Sequence, residues 1–349
     1  MKFYPVWSDS MGAKSFSTVV DASGHRIFID PGVAIMQPSY PGDRRLHIKW
    51  ADEAYNKIIE YLADSDIVII THYHHDHYLW KEDDIEYYSG KKLLIKDPNK
   101  YINDSQWDRV REFLTLYLKM LYEVDLESMY ISKSMSECID YVKDYKIALS
   151  KDFGEYSERR SELLEKGFKW FEGRCRKWSS SPWIKELNEF NIIFIDAKSF
   201  KFDDLTLRFT DPLYHGIEYS RTGWVIGVVL EYLNKKIIYS SDIQGPTIED
   251  YAYWIINEDP DILFLDGPPT YLIPYMFNLV NFRRTIDNIK WIIRDTNKLK
   301  MIIYDHHLTR DIKFRERVGD IYKYASEYGI ELLDVATYLG VKPAYELVK

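Results

Sequence analysis

Residues 67–77 read IVIITHYHHDH, an apolar run that ends in four histidines and an aspartate. A short β-branched run without helical spacing is typical of a strand covered on both faces, so we expect a buried strand here. Alternation along an extended chain puts His72 and His74 on the same side, and a following turn can bring Asp76 and His77 toward them. The pattern therefore predicts four converging side chains at the end of a strand.

Metal binding is the chemistry that these four side chains indicate. Imidazole nitrogen and carboxylate oxygen suit zinc, and also iron or manganese, whereas calcium and magnesium sites are built from oxygen. The alternative is a set of solvated or packing histidines, which is the usual role of a lone histidine. Because so many of the 9 histidines of the chain lie within this short segment, we prefer the metal site.

Four further segments carry an aspartate or a histidine at the end of an apolar run or beside a glycine, and they follow in chain order. These segments are RIFIDPG at 26–32, LRFTDPLYHG at 207–216, KIIYSSD at 236–242 and MIIYDHH at 301–307. Together with HxHxDH at 72–77, their order resembles the signature of the metallo-β-lactamase superfamily. The resemblance implies an α/β fold, the four-layer αββα sandwich, with the site at one edge of two sheets.

The resemblance also implies a dinuclear site. The ligands that it assigns are His72, His74 and His215 for the first ion, Asp76, His77 and His306 for the second, and Asp242 as the bridge. Two cations about 3.5–4 Å apart can share a water, lower its pKa and hold the resulting hydroxide near a polarised carbonyl or phosphoryl group. Zinc is expected first, with manganese or iron as alternatives. By family analogy Asp76 is also the catalytic residue, which orients the hydroxide or protonates the leaving group.

Each later ligand has a structural alternative. His215 beside a glycine can equally be a surface histidine, and Asp242 after two serines can cap a turn. Because both residues take their places in the ordered series of segments, we prefer a role as metal ligands for both. His306 and His307 cannot both face the same way from one strand end. We prefer His306, which comes directly after the strand and Asp305, and we keep His307 as the fallback.

Three residues are candidates for supporting the metals or contacting the substrate. Asp30 can accept a hydrogen bond from a ligating histidine and fix its orientation. Asp266 either faces the metals or caps a turn, and we favour a supporting role. Arg221 can hold a phosphate or carboxylate in bidentate fashion, or it can form an ordinary surface ion pair.

We expect residues 1–349 to form a single domain with a helical insertion at about 101–189, here called the helical cap. Helices are predicted within it at about 104–122, 136–149 and 157–171. Long excursions from a rigid scaffold tend to form lids, so the cap is expected to select the substrate. Its basic and aromatic residues fit an anionic or single-stranded nucleic-acid ligand or, as we prefer, a packed amphipathic helix with a charged outer face.

Charge and composition limit the classes of partner that we expect for this protein. The formal charge of −9 argues against a protein that coats nucleic acid, so we expect a small-molecule or phosphodiester substrate and do not favour nucleic acid. The longest apolar runs are strand-sized, and the start of the chain lacks the apolar stretch of a signal peptide. These features predict a cytoplasmic protein without a membrane partner. Cys138 and Cys175 match no CxxC pattern and make no disulfide framework, so we expect plain packing residues.

Over its full length the chain resembles an archaeal family of predicted metal-dependent hydrolases of the same superfamily. The segments that carry this resemblance are SDSMGAKS at 8–15, DGPPTY at 266–271 and DHHL at 305–308. It implies a reaction class but no substrate, so phosphodiester, lactone, thioester and other ester bonds all stay open. The alternatives are a mononuclear iron oxygenase on the same fold and a metal-stabilised binding protein without turnover. The sequence does not predict the oligomeric state.

Overall fold

The computed structural model describes residues 1–132 and 138–348. The strands in these residues are, in chain order, β1 (Lys2–Ser8), β2 (Ala13–Lys14), β3 (Phe16–Ala22), β4 (His25–Ile29), β5 (Ala34–Ile35), β6 (Ile67–Ile70), β7 (Lys92–Ile95), β8 (Tyr130–Ile131), β9 (Trp183–Ile184), β10 (Ile192–Phe194), β11 (Ser199–Phe202), β12 (Leu205–Phe209), β13 (Leu213–Tyr214), β14 (Trp224–Val225), β15 (Val228–Tyr232), β16 (Lys235–Tyr239), β17 (Ile262–Asp266), β18 (Met301–Asp305) and β19 (Glu331–Leu333). The helices are α1 (Arg44–Ala63), α2 (Asp104–Tyr122), α3 (Lys146–Ser150), α4 (Ser157–Ser180), α5 (Glu249–Glu258), α6 (Leu279–Asp295), α7 (Phe314–Glu327), α8 (Val335–Tyr338) and α9 (Ala344–Leu347).

Two sheets form the centre of the molecule. The first has six strands in the order β1-β3-β4-β6-β7-β10, and the second has seven in the order β11-β12-β15-β16-β17-β18-β19. Strands β4, β6, β7 and β10 pair in parallel, and so do β16, β17, β18 and β19. The histidine segment therefore leaves the carboxyl end of a parallel strand, as do the segments at 236–242 and 301–307.

Successive side chains of a strand point to opposite faces of its sheet. The apolar side chains on one face pack between the two sheets, and those on the other face pack beneath the helices. In β6, Ile67 and Ile69 pack against the second sheet, whereas Val68 and Ile70 pack beneath α1 and α2. In β17, Phe264 faces the first sheet, and its neighbours lie beneath α5, α6 and α7. Burying one such side chain stabilises the fold by about 1.5–3 kcal/mol. The layers are thus helix, sheet, sheet, helix, which confirms the predicted four-layer αββα sandwich of the metallo-β-lactamase fold.

The first two helices have clear sequence causes. Asp43 caps α1 by accepting a 2.9 Å hydrogen bond from the backbone N–H of Arg45. Asn103 caps α2 in the same way, with a 2.8 Å bond from Gln106 N. Helix α2 buries the predicted stripe, which includes Val110, and spans the predicted range 104–122.

Two other predictions for the helical cap were less accurate. Helix α4 continues to Ser180 instead of ending near 171, because Phe171 and Trp178 keep one face of the helix buried. The helix predicted at 136–149 lies partly outside the described residues. From 138 onward the prediction is confirmed only at α3, because the chain forms a 3-10 turn at Tyr141–Asp144 before it.

The two cysteines are joined, so the expectation of plain packing residues was wrong. Cys138 and Cys175 form a disulfide with a Cα–Cα distance of 5.9 Å. They are separated by 37 residues along the chain, and only the tertiary fold brings them together. The bond ties the segment before α3 to helix α4.

No helix in the described part of the chain is both long enough and apolar enough to cross a lipid bilayer.

Candidate metal centre

The ligand-type residues predicted from the sequence gather at one edge of the sandwich. His72 and the rest of its segment follow β6, Asp242 follows β16, and His306 follows β18. The carboxyl ends of parallel strands in both sheets meet there, and such crevices are where open α/β sheets bind ligands. His215 follows the short strand β13. Its loop reaches the same edge because the backbone N–H of Ile226, directly after β14, donates a 3.2 Å hydrogen bond to Thr71 O.

Asp242 lies at the centre of the gathered side chains. Its Oδ2 is 3.5 Å from Nε2 of His72 and 3.1 Å from Nε2 of His77. The same oxygen is 3.3 Å from Nε2 of His215 and 3.2 Å from Nε2 of His306. A carboxylate oxygen offers about two lone-pair sites, so four imidazoles cannot all donate to it. A shared cation is the arrangement that satisfies all of these groups.

Buried polar atoms in this cluster lack partners. Nε2 of His72, Nε2 of His77 and Oδ1 of Asp242 are buried without a hydrogen bond among the described residues. An unsatisfied buried polar atom is costly and is expected where an ion binds. The residues therefore fit a metal.

The side chains form four overlapping groups that could each hold an ion, and two of these groups together contain all seven predicted ligands. One group contains His72, His74, His215 and Asp242, and in each group the ligand atoms lie within 4.8 Å of one another. The other contains Asp76, His77 and His306. All seven predicted ligands are thus brought together, in the two sets that the resemblance implied. That they bind metal remains a prediction.

Burial sets the protonation of the first group. It lowers the pKa of His72 to about 4, and it lowers the pKa of His74 well below the usual value. Both imidazoles are therefore neutral at pH 7, which is the form that binds metal. Burial also lowers the pKa of His77, but the carboxylates of Asp242 and Asp30 outweigh it and raise that pKa to about 10.

Asp30 lies behind His77, and its role in supporting a metal ligand remains a prediction. Its Oδ2 is 3.0 Å from Nδ1 of His77 and accepts a 2.9 Å hydrogen bond from the hydroxyl of Tyr239. Both carboxylate oxygens also accept from Thr71, at 2.8 Å from its N–H and 2.7 Å from its hydroxyl. Asp30 therefore orients His77.

Three residues at the strand ends of the site adopt a strained backbone conformation. Asp30, Ser241 and His306 have φ angles of 50°, 55° and 60°, in the left-handed region that non-glycine residues rarely adopt. Each such residue costs on the order of 1–3 kcal/mol and persists where the surroundings hold it.

His306 and His307 both approach Asp242, contrary to the expectation that only one of them could. They begin a 3-10 turn instead of extending the strand, so consecutive side chains no longer alternate. Nδ1 of His307 is 2.9 Å from Oδ1 of Asp266. His306 also belongs to the group that contains Asp76. The geometry favours His306 as the ligand, and the choice remains a prediction.

The other two candidates lie in different surroundings. Asp266 is fully buried, where it orients His307 and accepts a 2.7 Å hydrogen bond from Gln244 N. Burial and the neighbouring carboxylate of Asp242 raise its pKa well above the usual value. Arg221 is exposed, outside the ligand groups, on the wall of the cavity described next.

A cavity of about 430 Å³ lies between α4, the loop after His215 and the start of α6. Ile217 and Gln244 line it, and they are two residues beyond His215 and Asp242 respectively. Gly216 brings these two walls close together, because a Cβ at this position would lie 2.7 Å from Oε1 of Gln244. The cavity thus borders the candidate metal centre and is partly covered by the helical cap.

Sequence reasoning missed two residues of the site. Asp9 lies behind His306, with Oδ1 3.0 Å from Nδ1. Arg310 is ion-paired with Asp9, and its Nη2 is 3.1 Å from Oδ2 of Asp76. In the sequence, the segment at 8–15 carries only the family resemblance and does not indicate a role for Asp9. Signals that could have found the pair are an aspartate in a Ser/Gly turn and an arginine one helical turn after His306.

Comparisons with known proteins place the chain among archaeal relatives. No family model matches it. The UPF0282 protein MJ1629 of Methanocaldococcus jannaschii is 30% identical over 340 residues, which cover 94% of this chain and 91% of that protein. The UPF0282 protein PH1002 of Pyrococcus horikoshii is 30% identical over 356 residues, which cover 99% of this chain and 90% of that protein.

Two solved structures are similar at low sequence identity. The isothiocyanate hydrolase from Delia radicum gut bacteria is 14% identical with a TM-score of 0.45, and the match covers 93% of this chain and 94% of that one. The metallo-β-lactamase fold protein YhfI from Bacillus subtilis is 10% identical with a TM-score of 0.38, and the match covers 92% and 87%.

Proposed function

The chain belongs to the UPF0282 family, and from the side chains gathered around Asp242 we propose that it is a metal-dependent hydrolase with two divalent ions. The observation that carries the proposal is the contact of one carboxylate oxygen with four imidazole nitrogens at 3.1–3.5 Å. Ions held there would lower the pKa of a water and polarise the bond to be cleaved. Zinc is the first candidate, because the donor set combines nitrogen and oxygen.

Asp76 is the residue best placed to orient the attacking water. Its Oδ2 contacts Arg310, which fixes the carboxylate group, and its side chain is 15% exposed. This exposure leaves the group accessible from the mouth of the site. A carboxylate oxygen in this position accepts a hydrogen bond from water and holds it for attack.

The bordering cavity suits the part of a substrate that does not react. Its volume lies within the range of small-molecule sites, and it combines apolar side chains of α4 with the polar Gln244 and Arg221. We propose a small-molecule or phosphodiester substrate whose remote portion occupies it beneath the helical cap. A lactone, thioester or other ester is compatible with the same centre.

Metal content and hydrolysis test the proposal together. We expect the purified protein to hold close to two divalent ions by elemental analysis and to cleave a generic ester or phosphodiester. His215→Ala should lose one ion and most of the activity. His75→Ala is a matched control from the same histidine segment, because His75 stacks on Trp80 and belongs to neither ligand group.

The two alternatives give different results in this experiment. One iron per chain with oxygen-dependent turnover would identify a mononuclear oxygenase. Two ions without turnover of any substrate would identify a metal-stabilised binding protein. Absence of metal after reconstitution with zinc, manganese and iron in turn would overturn the proposal.

A further inference from the structure

The cavity beside the candidate metal centre is lined by apolar side chains from two elements. Leu163 and Leu164 line it from α4, and Leu272 and Phe277 line it from the segment before α6. Apolar surfaces of this kind bind the apolar part of a ligand, because contact removes both surfaces from water. The cavity therefore suits a ligand with an apolar body.

The same cavity carries an excess of positive charge. Among the described residues, four positive side chains and one carboxylate line it. The carboxylate is that of Glu218, which accepts 2.7 Å hydrogen bonds at Oε1 from both Arg160 and Arg284, so these three charges compensate one another. The side chains of Lys166 and Arg221 are exposed, and neither makes a hydrogen bond or an ion pair within the part of the chain that the structure describes. Two cations are thus available here, although the whole chain has a formal charge of −9.

The acidic neighbours of Lys166 in its helix are already paired. Glu162, one turn before Lys166, lies 2.6 Å from Arg159. The adjacent Glu165 lies 2.6 Å from Lys169. Side chains three or four residues apart are the usual partners on a helix surface, and here they pair with each other instead of with Lys166. Its ammonium group is therefore free to bind a ligand.

Backbone contacts bring Lys166 and Arg221 to the same cavity. Gly167, directly after Lys166, packs against the loop that carries Arg221, because a Cβ at Gly167 would lie 2.5 Å from Cβ of Tyr219. The loop is also fixed to the start of α2, since Nδ2 of Asn103 donates a 3.1 Å hydrogen bond to Arg221 O. The two cations therefore extend from backbone segments that touch each other and are held in place.

We infer that this cavity binds the anionic end of the substrate, and that the substrate is an ester with an apolar body and a phosphate or carboxylate group remote from the bond that is cleaved. This inference rests on the proposed hydrolase function and narrows its substrate class. Because Ile217 and Gln244 join the cavity to the metal centre, the apolar body can lie in the cavity while the reacting bond lies at the metals. Guanidinium and ammonium groups donate charge-assisted hydrogen bonds to oxyanions, and arginine can do so in bidentate fashion.

Two fluorescent probes with the same rings test the charge and the apolar surface separately. Anilinonaphthalene sulfonate is an apolar anion, and N-phenylnaphthylamine lacks the sulfonate. The zinc-loaded protein should bind the anion more tightly. Combining Lys166→Met with Arg221→Met should weaken binding of the anion about tenfold and leave binding of the neutral probe unchanged, because only the charges are removed. Leu163→Glu, which places a carboxylate on the cavity wall, should weaken binding of both probes.

The matched control is Arg176→Met. Arg176 is an exposed arginine of α4 that has no ion pair among the residues described and does not line the cavity. Equal binding of the sulfonate probe by the wild type and the double variant would overturn the inference, and so would an equal loss in the control or unaltered binding of both probes by Leu163→Glu. Thermal unfolding and zinc content show whether each variant is folded and loaded. If the double methionine variant does not fold, Lys166→Gln with Arg221→Gln replaces it.

Displacement of the sulfonate probe distinguishes the two kinds of anion. Naphthyl phosphate and naphthoate carry a phosphate and a carboxylate on the same ring system, and naphthol carries neither. The anion that displaces the probe at the lower concentration is the one that the cavity prefers. If neither anion displaced the probe better than naphthol, the inference would be overturned.

Turnover separates this inference from the proposed function. The p-nitrophenyl monoester of suberic acid ends in a carboxylate, and p-nitrophenyl octanoate is its neutral counterpart of equal chain length. The wild type should prefer the suberate ester in kcat/KM, and the double variant should lose about tenfold of this preference through KM, since remote charge contacts supply ground-state binding. An unchanged preference would overturn the inference and leave the hydrolase proposal standing. Absence of metal and of turnover in the wild type would overturn the hydrolase proposal, and probe binding would still decide whether the cavity binds anions.

Discussion

Two histidines of the candidate centre each lie between two carboxylates. His77 contacts Asp242 through Nε2 and Asp30 through Nδ1. His306 contacts Asp242 through Nε2 and Asp9 through Nδ1. The outer carboxylates orient the rings and make the inner nitrogens better ligands. Removing such supporting residues typically costs 10–100-fold in metal affinity.

The choice between His306 and His307 can be tested by substitution. We expect His306→Ala to reduce the metal content to about one ion per chain, because it removes a member of the group with Asp76 and His77. His307→Ala should keep close to two ions, because its Nδ1 is bound to Asp266 and the other ligands remain. Elemental analysis of both variants measures their metal content. If His307→Ala lost one ion and His306→Ala kept both, His307 would be the ligand.

At the scale of the elements, ion pairs attach the helical cap to the rest of the fold. Arg160 of α4 lies 2.7 Å from Glu218, which is also 2.7 Å from Arg284 of α6. Arg284 lies 2.7 Å from Glu249 of α5 as well. Arg160 is therefore held in a nearly buried ion pair, whereas the amphipathic-helix interpretation expected a charged outer face in solvent.

Arg284 is the central group of this network, so its removal should destabilise the protein. Arg284→Met leaves Glu218 and Glu249 buried without their main counter-charge, which costs about 3–5 kcal/mol in the free energy of unfolding. Denaturation in urea at pH 7 measures this loss. Arg294→Met is the matched control on the exposed face of α6, and a similar loss there would contradict the prediction.

The same network predicts a dependence on pH. Burial raises the pKa of Glu218 and of Glu249, but Arg284 outweighs it and holds both pKa values below the usual range. A lowered folded-state pKa contributes stability that is present above the unfolded value of about 4.3 and is lost as the pH falls through the folded value. The difference in unfolding free energy between wild type and Arg284→Met should therefore shrink below about pH 4. A constant difference down to pH 2 would contradict this assignment.

The disulfide adds a covalent tie within the helical cap. Cys175→Ser should lower the free energy of unfolding by about 2–4 kcal/mol, since the bond closes a long loop in the unfolded chain. Urea denaturation should show this difference under oxidising conditions only. With reductant present the wild type and the variant should unfold at the same midpoint. Equal midpoints without reductant would show that the bond contributes nothing.

At the scale of the whole molecule, the candidate centre joins the two sheets. His72, His74 and His77 come from the end of the first sheet, whereas Asp242 and His306 come from the second. Ions bound between them would therefore link the two halves of the sandwich. Binding to the folded state alone stabilises by about 2.7 kcal/mol at a hundred times the dissociation constant.

Metal removal should accordingly lower the melting temperature. We expect exhaustive treatment with a chelator to reduce Tm by on the order of 5 °C or more, and addition of zinc to restore it. His306→Ala should recover less on adding zinc, because it has lost one of the ligands that join the sheets. An unchanged Tm in the wild type after complete removal of metal would contradict a centre that links the sheets.

From the sequence alone came the buried strands at about 26–30, 67–71, 236–241, 262–266 and 301–305 and the seven candidate ligands, which the fold brings to one edge of the sandwich. Local patterns carry this information: β-branched runs predict buried strands, and the residues directly after them lie at strand ends. Only the tertiary structure showed the roles of Asp9 and Arg310, because Asp9 contacts His306 and Arg310, which lie 297 and 301 residues further along the chain. It also paired Cys138 with Cys175 and brought His307 to the site through a 3-10 turn. These features depend on packing between distant segments, which no local pattern of residues encodes.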